Sequence, residues 1–158
     1  MDEVKVITFG CRLNIFESEI IRKRVQKAGI KNAIVVHTCA VTSEAERQAK
    51  QQIHKIIKEN PDAKIILTGC SAQNSWQNYR NNQNIFAILG NKEKLSQQYY
   101  DELAMLTQKD APHIYVGEIL ANPPEMIEVQ PKDDLFKFDG KTKAFVQIQQ
   151  GCNNRCTY

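Results

Sequence analysis

Four short apolar runs, each followed by a stretch with helical spacing, limit what this chain can fold into. They are Val4-Lys5-Val6-Ile7-Thr8-Phe9, Ala33-Ile34-Val35-Val36, Lys64-Ile65-Ile66-Leu67-Thr68 and Ile85-Phe86-Ala87-Ile88-Leu89. Short continuous runs rich in β-branched residues are the mark of strands buried on both faces. The first is followed by a helix expected from about Ile15 to Ala28, with Asn14 as its N-cap and Glu17 at capping-box spacing. Phe16, Ile20, Ile21 and Val25 form its apolar face, and Gly29 closes it. The second helix opens at the capping box Ser43-Glu44-Ala45-Glu46 and runs to about Asn60, where Pro61 enforces a stop. Its stripe is Ala45, Ala49, Ile53, Ile56 and Ile57. A further helix is expected from about Lys92 to Leu106. Strands alternating with helices at these spacings predict an α/β fold: an open parallel sheet, helices on both faces, joined by right-handed crossovers.

The remaining chain reads differently. Residues 108–143 hold Pro112, Pro123, Pro124 and Pro131 and read as a linker with one strand, Ile114-Tyr115-Val116. Ala144 to Gln149 alternates apolar and polar residues, a strand that delivers Cys152 at its tip. The expected division is an α/β domain over 1–107, a linker over 108–143 and the start of a second domain over 144–158. The 158 residues are long enough for one domain and part of another, and an apolar share of 42% supports a core. A net charge of +3 permits a nucleic-acid partner without demanding one. No run reaches the roughly 18 apolar residues of a membrane span. Met1-Asp2-Glu3 lacks the features of a signal peptide, so the expected location is cytoplasmic, with the five cysteines reduced.

Three of those cysteines, Cys11, Cys39 and Cys70, each come directly after an expected strand. Strand C-termini of a parallel sheet share one edge, and the loops there form the ligand crevice of open α/β folds. Gly10 and Gly69 let two of the loops turn sharply beside their cysteines. Three thiolates converging there suit an iron–sulfur cluster with one iron free of protein ligand. Zinc, a disulfide between two of the three, or three buried small side chains are the alternatives that spacing leaves open. At the other end, Cys152 and Cys156 stand four apart, the spacing of two ligands of a metal or iron–sulfur site. A third ligand three residues on would lie beyond Tyr158.

Five motifs in order carry a resemblance. Thr8-Phe9-Gly10-Cys11-Arg12-Leu13-Asn14, His37-Thr38-Cys39-Ala40-Val41-Thr42, Glu44-Ala45-Glu46-Arg47-Gln48-Ala49-Lys50, Thr68-Gly69-Cys70-Ser71-Ala72-Gln73 and the closing Gln150 to Tyr158 resemble the methylthiotransferase family of radical S-adenosylmethionine (SAM) enzymes. The residues around Cys11 and Cys39 are most similar to the branch that acts on N6-threonylcarbamoyladenosine at position 37 of tRNA. The resemblance implies that Cys11, Cys39 and Cys70 hold an auxiliary 4Fe–4S cluster. It implies that Cys152 and Cys156 are the first two ligands of a second 4Fe–4S cluster, which binds SAM in a barrel domain. The implied reaction adds a methylthio group to C2 of the adenine, and the implied partner of the full-length enzyme is the tRNA anticodon stem-loop. The chain holds only the start of the barrel, so the second cluster and SAM are not expected to bind to it alone. No catalytic residue is assigned, and the family's activity is not carried over to the isolated chain. The alternative is a non-enzymatic remnant, an α/β module that binds zinc or no metal.

His37 stands where the family commonly has Asn, and Ser71 where an aromatic is frequent. His37 is read first as a tolerated loop substitution, with a role beside or on the metal as the alternative. Arg22-Lys23-Arg24, Arg47, Lys50, His54, Lys55 and Lys58 are candidates for tRNA phosphates, though such residues are more often solvated helix faces. Trp76 and Tyr79 are read as satellite packing before base stacking.

Overall fold

The computed structural model describes residues 4–9, 12–39 and 43–118. Five parallel strands form one sheet: β1 (Lys5–Thr8), β2 (Ala33–Thr38), β3 (Lys64–Gly69), β4 (Ile85–Leu89) and β5 (His113–Tyr115). The four expected strands are present, and so is the fifth, which pairs with β4 inside the stretch assigned to the linker. The helices are α1 (Arg12–Lys27), α2 (Ser43–Glu59), α3 (Cys70–Ser75) and α4 (Gln97–Ala104). The α/β class with helices on both faces is confirmed.

Burial explains why the strands read so clearly. Every residue of β2 and β4 is buried, whereas the edge strands β1 and β5 are mostly half-buried. Pleat alternation divides them between two cores. On one face Ile21 and Val25 of α1 and Tyr100 and Leu103 of α4 pack on Val35, Ile66 and Phe86. On the other, Ile53 and Ile56 of α2 and Ala72 of α3 pack on Ile34, Val36, Leu67 and Ile88.

The strands lie in chain order across the sheet, while α1 and α4 cover one face and α2 and α3 the other. Connections that step the same way through opposite faces have opposite hands. Uniformly right-handed crossovers, the expectation from spacing, are therefore not what forms. Helix α1 takes the face that carries His37, to which it supplies Glu17 and Ser18 as partners.

Helix boundaries depart from the sequence reading in two instructive places. Helix α1 begins at Arg12, so Asn14 lies within it and is not its N-cap. Asn14, Glu17 and Ser18 are all buried, continuing toward the N-terminus the stripe that Ile21 and Val25 begin. The capping-box spacing of Asn14 and Glu17 is thus the i,i+3 spacing of one helix face. The helix expected over 92–106 is broken. A 3-10 turn, Glu93–Leu95, precedes α4, and Ser96 between them is extended with φ −97° and ψ 129°. The break turns Lys94 inward, where Tyr100 Oη donates to its carbonyl at 2.7 Å.

The exit from α1 follows the expectation. Gly29 has φ 72°, its N–H bonds Gln26 O at 3.0 Å, and Ile30 N–H bonds Val25 O at 3.3 Å. This is a Schellman closure, and the buried Ile30 and Val25 share one core cluster.

Candidate functional site

Residues at the C-terminal ends of β1, β2 and β3 pair in one row: Thr8 with His37, and His37 with Thr68. Alternation along β2 puts His37 on the face of Ala33 and Val35, beneath α1. His37 is 0% exposed and is a strand residue, which overturns its reading as a loop substitution.

Around it lies a buried polar cluster drawn from α1, β2 and the turn before α4. Lys94 Nζ lies 2.6 Å from Glu17 Oε2, 2.9 Å from Asn91 Oδ1 and 3.3 Å from His37 Nε2. Three partners match the three hydrogens of an ammonium. His37 Nε2 lies 3.4 Å from Glu17 Oε2 as well as beside Lys94, its Nδ1 meets Ser18 Oγ at 2.9 Å, and Ser18 in turn meets Thr8 Oγ1 at 2.7 Å. Side-chain exposure of Lys94 and Glu17 is only 5% and 3%, so neither charge is left to water. Burial pushes the Glu17 carboxyl up, but His37 and Lys94 beside it outweigh that and hold it below the ordinary carboxylate value. Burial pushes the His37 imidazole down and Lys94 adds to this. Together they exceed the pull of Glu17, so the ring is neutral at pH 7.

The cysteines sit just above. Thr38 of β2 pairs with Gly69 of β3, so Cys39 and Cys70 are the next residues out of two neighbouring strands at one level. Neither is in a disulfide, and both are partly exposed. Gly69 has φ 97°, and a Cβ there would overlap the Thr38 carbonyl and lie 2.9 Å from His37 Cδ2. Only glycine lets β3 lie this close to β2 at the point where the cysteines emerge. Cys70 opens α3 rather than lying in a loop. Its Sγ receives the Asn91 carboxamide, Nδ2 at 3.9 Å. Cys11, Cys152 and Cys156 lie outside the described residues. Among the described residues no group of three His, Cys, Asp or Glu side chains is placed to hold a metal ion. Both described cysteines are partly exposed, and Cys70 has a hydrogen-bond donor at its sulfur, features that suit thiolate ligands of a shared cluster.

Around this edge Gln73 of α3 ties three segments together. Its Oε1 accepts from Asn91 N–H at 2.9 Å and its Nε2 donates to Gly117 O at 2.9 Å. Glu93 Oε1 accepts from Gly117 N–H at 3.2 Å.

Three of the basic candidates on α2, Arg47, Lys50 and Lys55, have acidic partners one turn away. Arg47 pairs with Glu44, Lys50 with Glu46 at 3.0 Å and Lys55 with Glu59 at 3.8 Å, the pattern of a solvated helix face. Trp76 and Tyr79 pack against the core on the α2 side, as satellite packing predicts. Among the described residues no helix is long and apolar enough to cross a membrane.

Sequence reasoning missed Glu17, Ser18, Asn91 and Lys94. The first two carried a signal: polar residues standing at stripe positions of an amphipathic helix. Nothing local marks Lys94, whose role depends on the break at Ser96.

Comparison with known proteins gives consistent matches. Residues 3–90 match the model of a family described as "Uncharacterized protein family UPF0004". The chain is 44% identical over 154 residues to "Threonylcarbamoyladenosine tRNA methylthiotransferase MtaB" of Rickettsia prowazekii, covering 98% of this chain and 34% of that protein. It is 33% identical to the protein of the same name from Thermotoga maritima, over 100% of this chain and 35% of that one. A "tRNA-2-methylthio-N(6)-dimethylallyladenosine synthase" of Moorella thermoacetica is 31% identical, over 98% of this chain and 36% of that one. The chain spans about a third of the length of these curated relatives.

Proposed function

Because this chain belongs to the UPF0004 family, we propose that it is the N-terminal part of a tRNA-modifying methylthiotransferase. The finer proposal is a reaction at C2 of N6-threonylcarbamoyladenosine at tRNA position 37, within the anticodon stem-loop, in the cytoplasm. The observation that carries it is the 44% identity to an MtaB protein across 98% of the chain, which spans both described cysteine motifs.

In this reading Cys11, Cys39 and Cys70 would hold an auxiliary 4Fe–4S cluster at the C-terminal edge of the sheet. When bound, such a cluster offers an iron without protein thiolate, where a sulfur species can be held for transfer. The protein's own residues do the positioning. The Thr38–Gly69 pair sets Cys39 and Cys70 side by side, and Gly69 admits the approach. The cluster of Glu17, His37 and Lys94 fills the space beneath them with charges that balance in place. Cys152 and Cys156 would begin the ligand set of the second cluster, and SAM would bind in the barrel that the longer relatives' length accommodates. The proposed division places the barrel's first strand over 144–158, a linker before it, and the α/β domain from the N-terminus to at least Tyr115.

Anaerobic reconstitution of the chain with iron and sulfide tests the site. About four irons per chain, lost when Cys11, Cys39 and Cys70 are replaced by Ala, is the expected result. Uptake of zinc with no iron would overturn it. The reaction is tested by mass spectrometry of tRNA from cells in which the gene for the full protein is deleted. Loss of the methylthio group from N6-threonylcarbamoyladenosine is expected, and an unchanged nucleoside profile excludes the assignment.

A further inference from the structure

The mechanism just proposed leaves the Asn91 side chain without a role, although its geometry is closely determined. A carboxamide can present either end to a neighbour, and which end it presents is decided by its partners. Here Lys94 Nζ lies 2.9 Å from Oδ1, and an ammonium has hydrogens only to give. The oxygen must therefore face Lys94, which leaves the NH2 group facing Cys70 Sγ at 3.9 Å. Two further contacts prevent the amide from drifting. Asn91's own N–H is fixed to Gln73 Oε1 at 2.9 Å, and Lys94 is pinned by Glu17 at 2.6 Å.

We infer that Asn91 is a positioning residue whose carboxamide, oriented by the buried Lys94–Glu17 pair, donates an N–H to the Cys70 sulfur and so sets the reduction potential of the metal group bound there. The inference rests on the cluster reading given above. Hydrogen bonds to ligand sulfur stabilise the more negative, reduced state and are one of the levers that set the potential of an iron–sulfur centre. Partners of this kind also hold the ligand in place, and their loss typically costs about 10- to 100-fold in metal affinity. Glu17 and Lys94 thereby reach the Cys70 sulfur through this amide.

The experiment uses the reconstituted 158-residue chain, with Asn91→Leu, which removes the donor, and Asn91→Asp, which keeps an oxygen for Lys94 and turns another toward the sulfur. Circular dichroism of the metal-free proteins shows whether each variant folds, and Asn91→Asp retains the Lys94 bond that Asn91→Leu gives up. The parent chain should bind iron and show an Fe–S stretching band in resonance Raman that shifts in deuterated water. Both variants should lose that shift, take a lower midpoint potential and release iron to a chelator about 10-fold faster. A parent chain that takes up no iron overturns the cluster reading, and the inference with it. Iron uptake with potential and deuterium shift unchanged in both folded variants overturns the role of Asn91 alone.

Discussion

Two glycines and one ion pair show how far single residues decide this structure. Gly29 and Gly69 both have positive φ, but a Cβ at Gly29 would meet open space, whereas at Gly69 it would meet the Thr38 carbonyl. Gly29→Ala should therefore cost about 1–2 kcal/mol, the penalty of the left-handed conformation alone. Gly69→Ala should cost clearly more, because the strand pair beneath Cys39 and Cys70 must open. Urea denaturation of the two variants gives the ranking, and equal losses would show that the sheet edge yields freely. The buried pair is tested in the same way. Glu17→Gln leaves Lys94 charged and uncompensated and should destabilise by about 3–5 kcal/mol, while Glu17→Leu with Lys94→Met should recover much of that loss. A single variant within about 1 kcal/mol of the parent would mean that water reaches Lys94.

The strands were legible element by element because the three central ones are sandwiched between two cores, which writes a continuous apolar run into the sequence. The same burial predicts that amides of β2, β3 and β4 exchange with solvent most slowly, and those of the edge strands β1 and β5 measurably faster. Native-state hydrogen exchange checks this, and uniform protection across the five strands would contradict it. The helices were less legible where tertiary contacts override local signals. Asn14 and Glu17 have the spacing of a cap, and what decides against a cap is His37, 20 residues from Glu17 and visible only once β2 is beneath α1. The stretch before α4 has the composition of a helix, yet Ser96 is extended while Lys94 points into the cluster. The placement of Cys39 and Cys70 just after two neighbouring strands was legible because strand-tip placement is a property of topology, which the βα rhythm reveals. Their hydrogen-bond environment was not, since Asn91 reaches Cys70 from another loop.

For the whole molecule, the buried cluster makes stability depend on pH in a direction that can be worked out. The folded chain holds His37 below the ordinary value of 6.5, so an unfolded chain takes up a proton there that the folded one refuses. Stability from this source is complete above the unfolded value and declines as the pH falls below it. Glu17, held below the ordinary 4.5, adds stability that is present above that value and is lost as the pH falls through the lowered one. Thermal melts of the metal-free chain should therefore fall in two stages on acidification from about pH 7.5, the first removed by His37→Asn. A first stage that survives in His37→Asn would assign it to another group.

Gln73 gives the sheet edge one more property. Its carboxamide grips Asn91 at one end and Gly117 at the other, and Gly117 is the doorway to everything that follows in the chain. Gln73, together with Glu93 on the Gly117 N–H, thus ties the segment after β5 to the loop that carries the neighbour of Cys70. Gln73→Ala would remove the tie between Gly117 and the Asn91 backbone and leave the Glu93 bond to Gly117 in place.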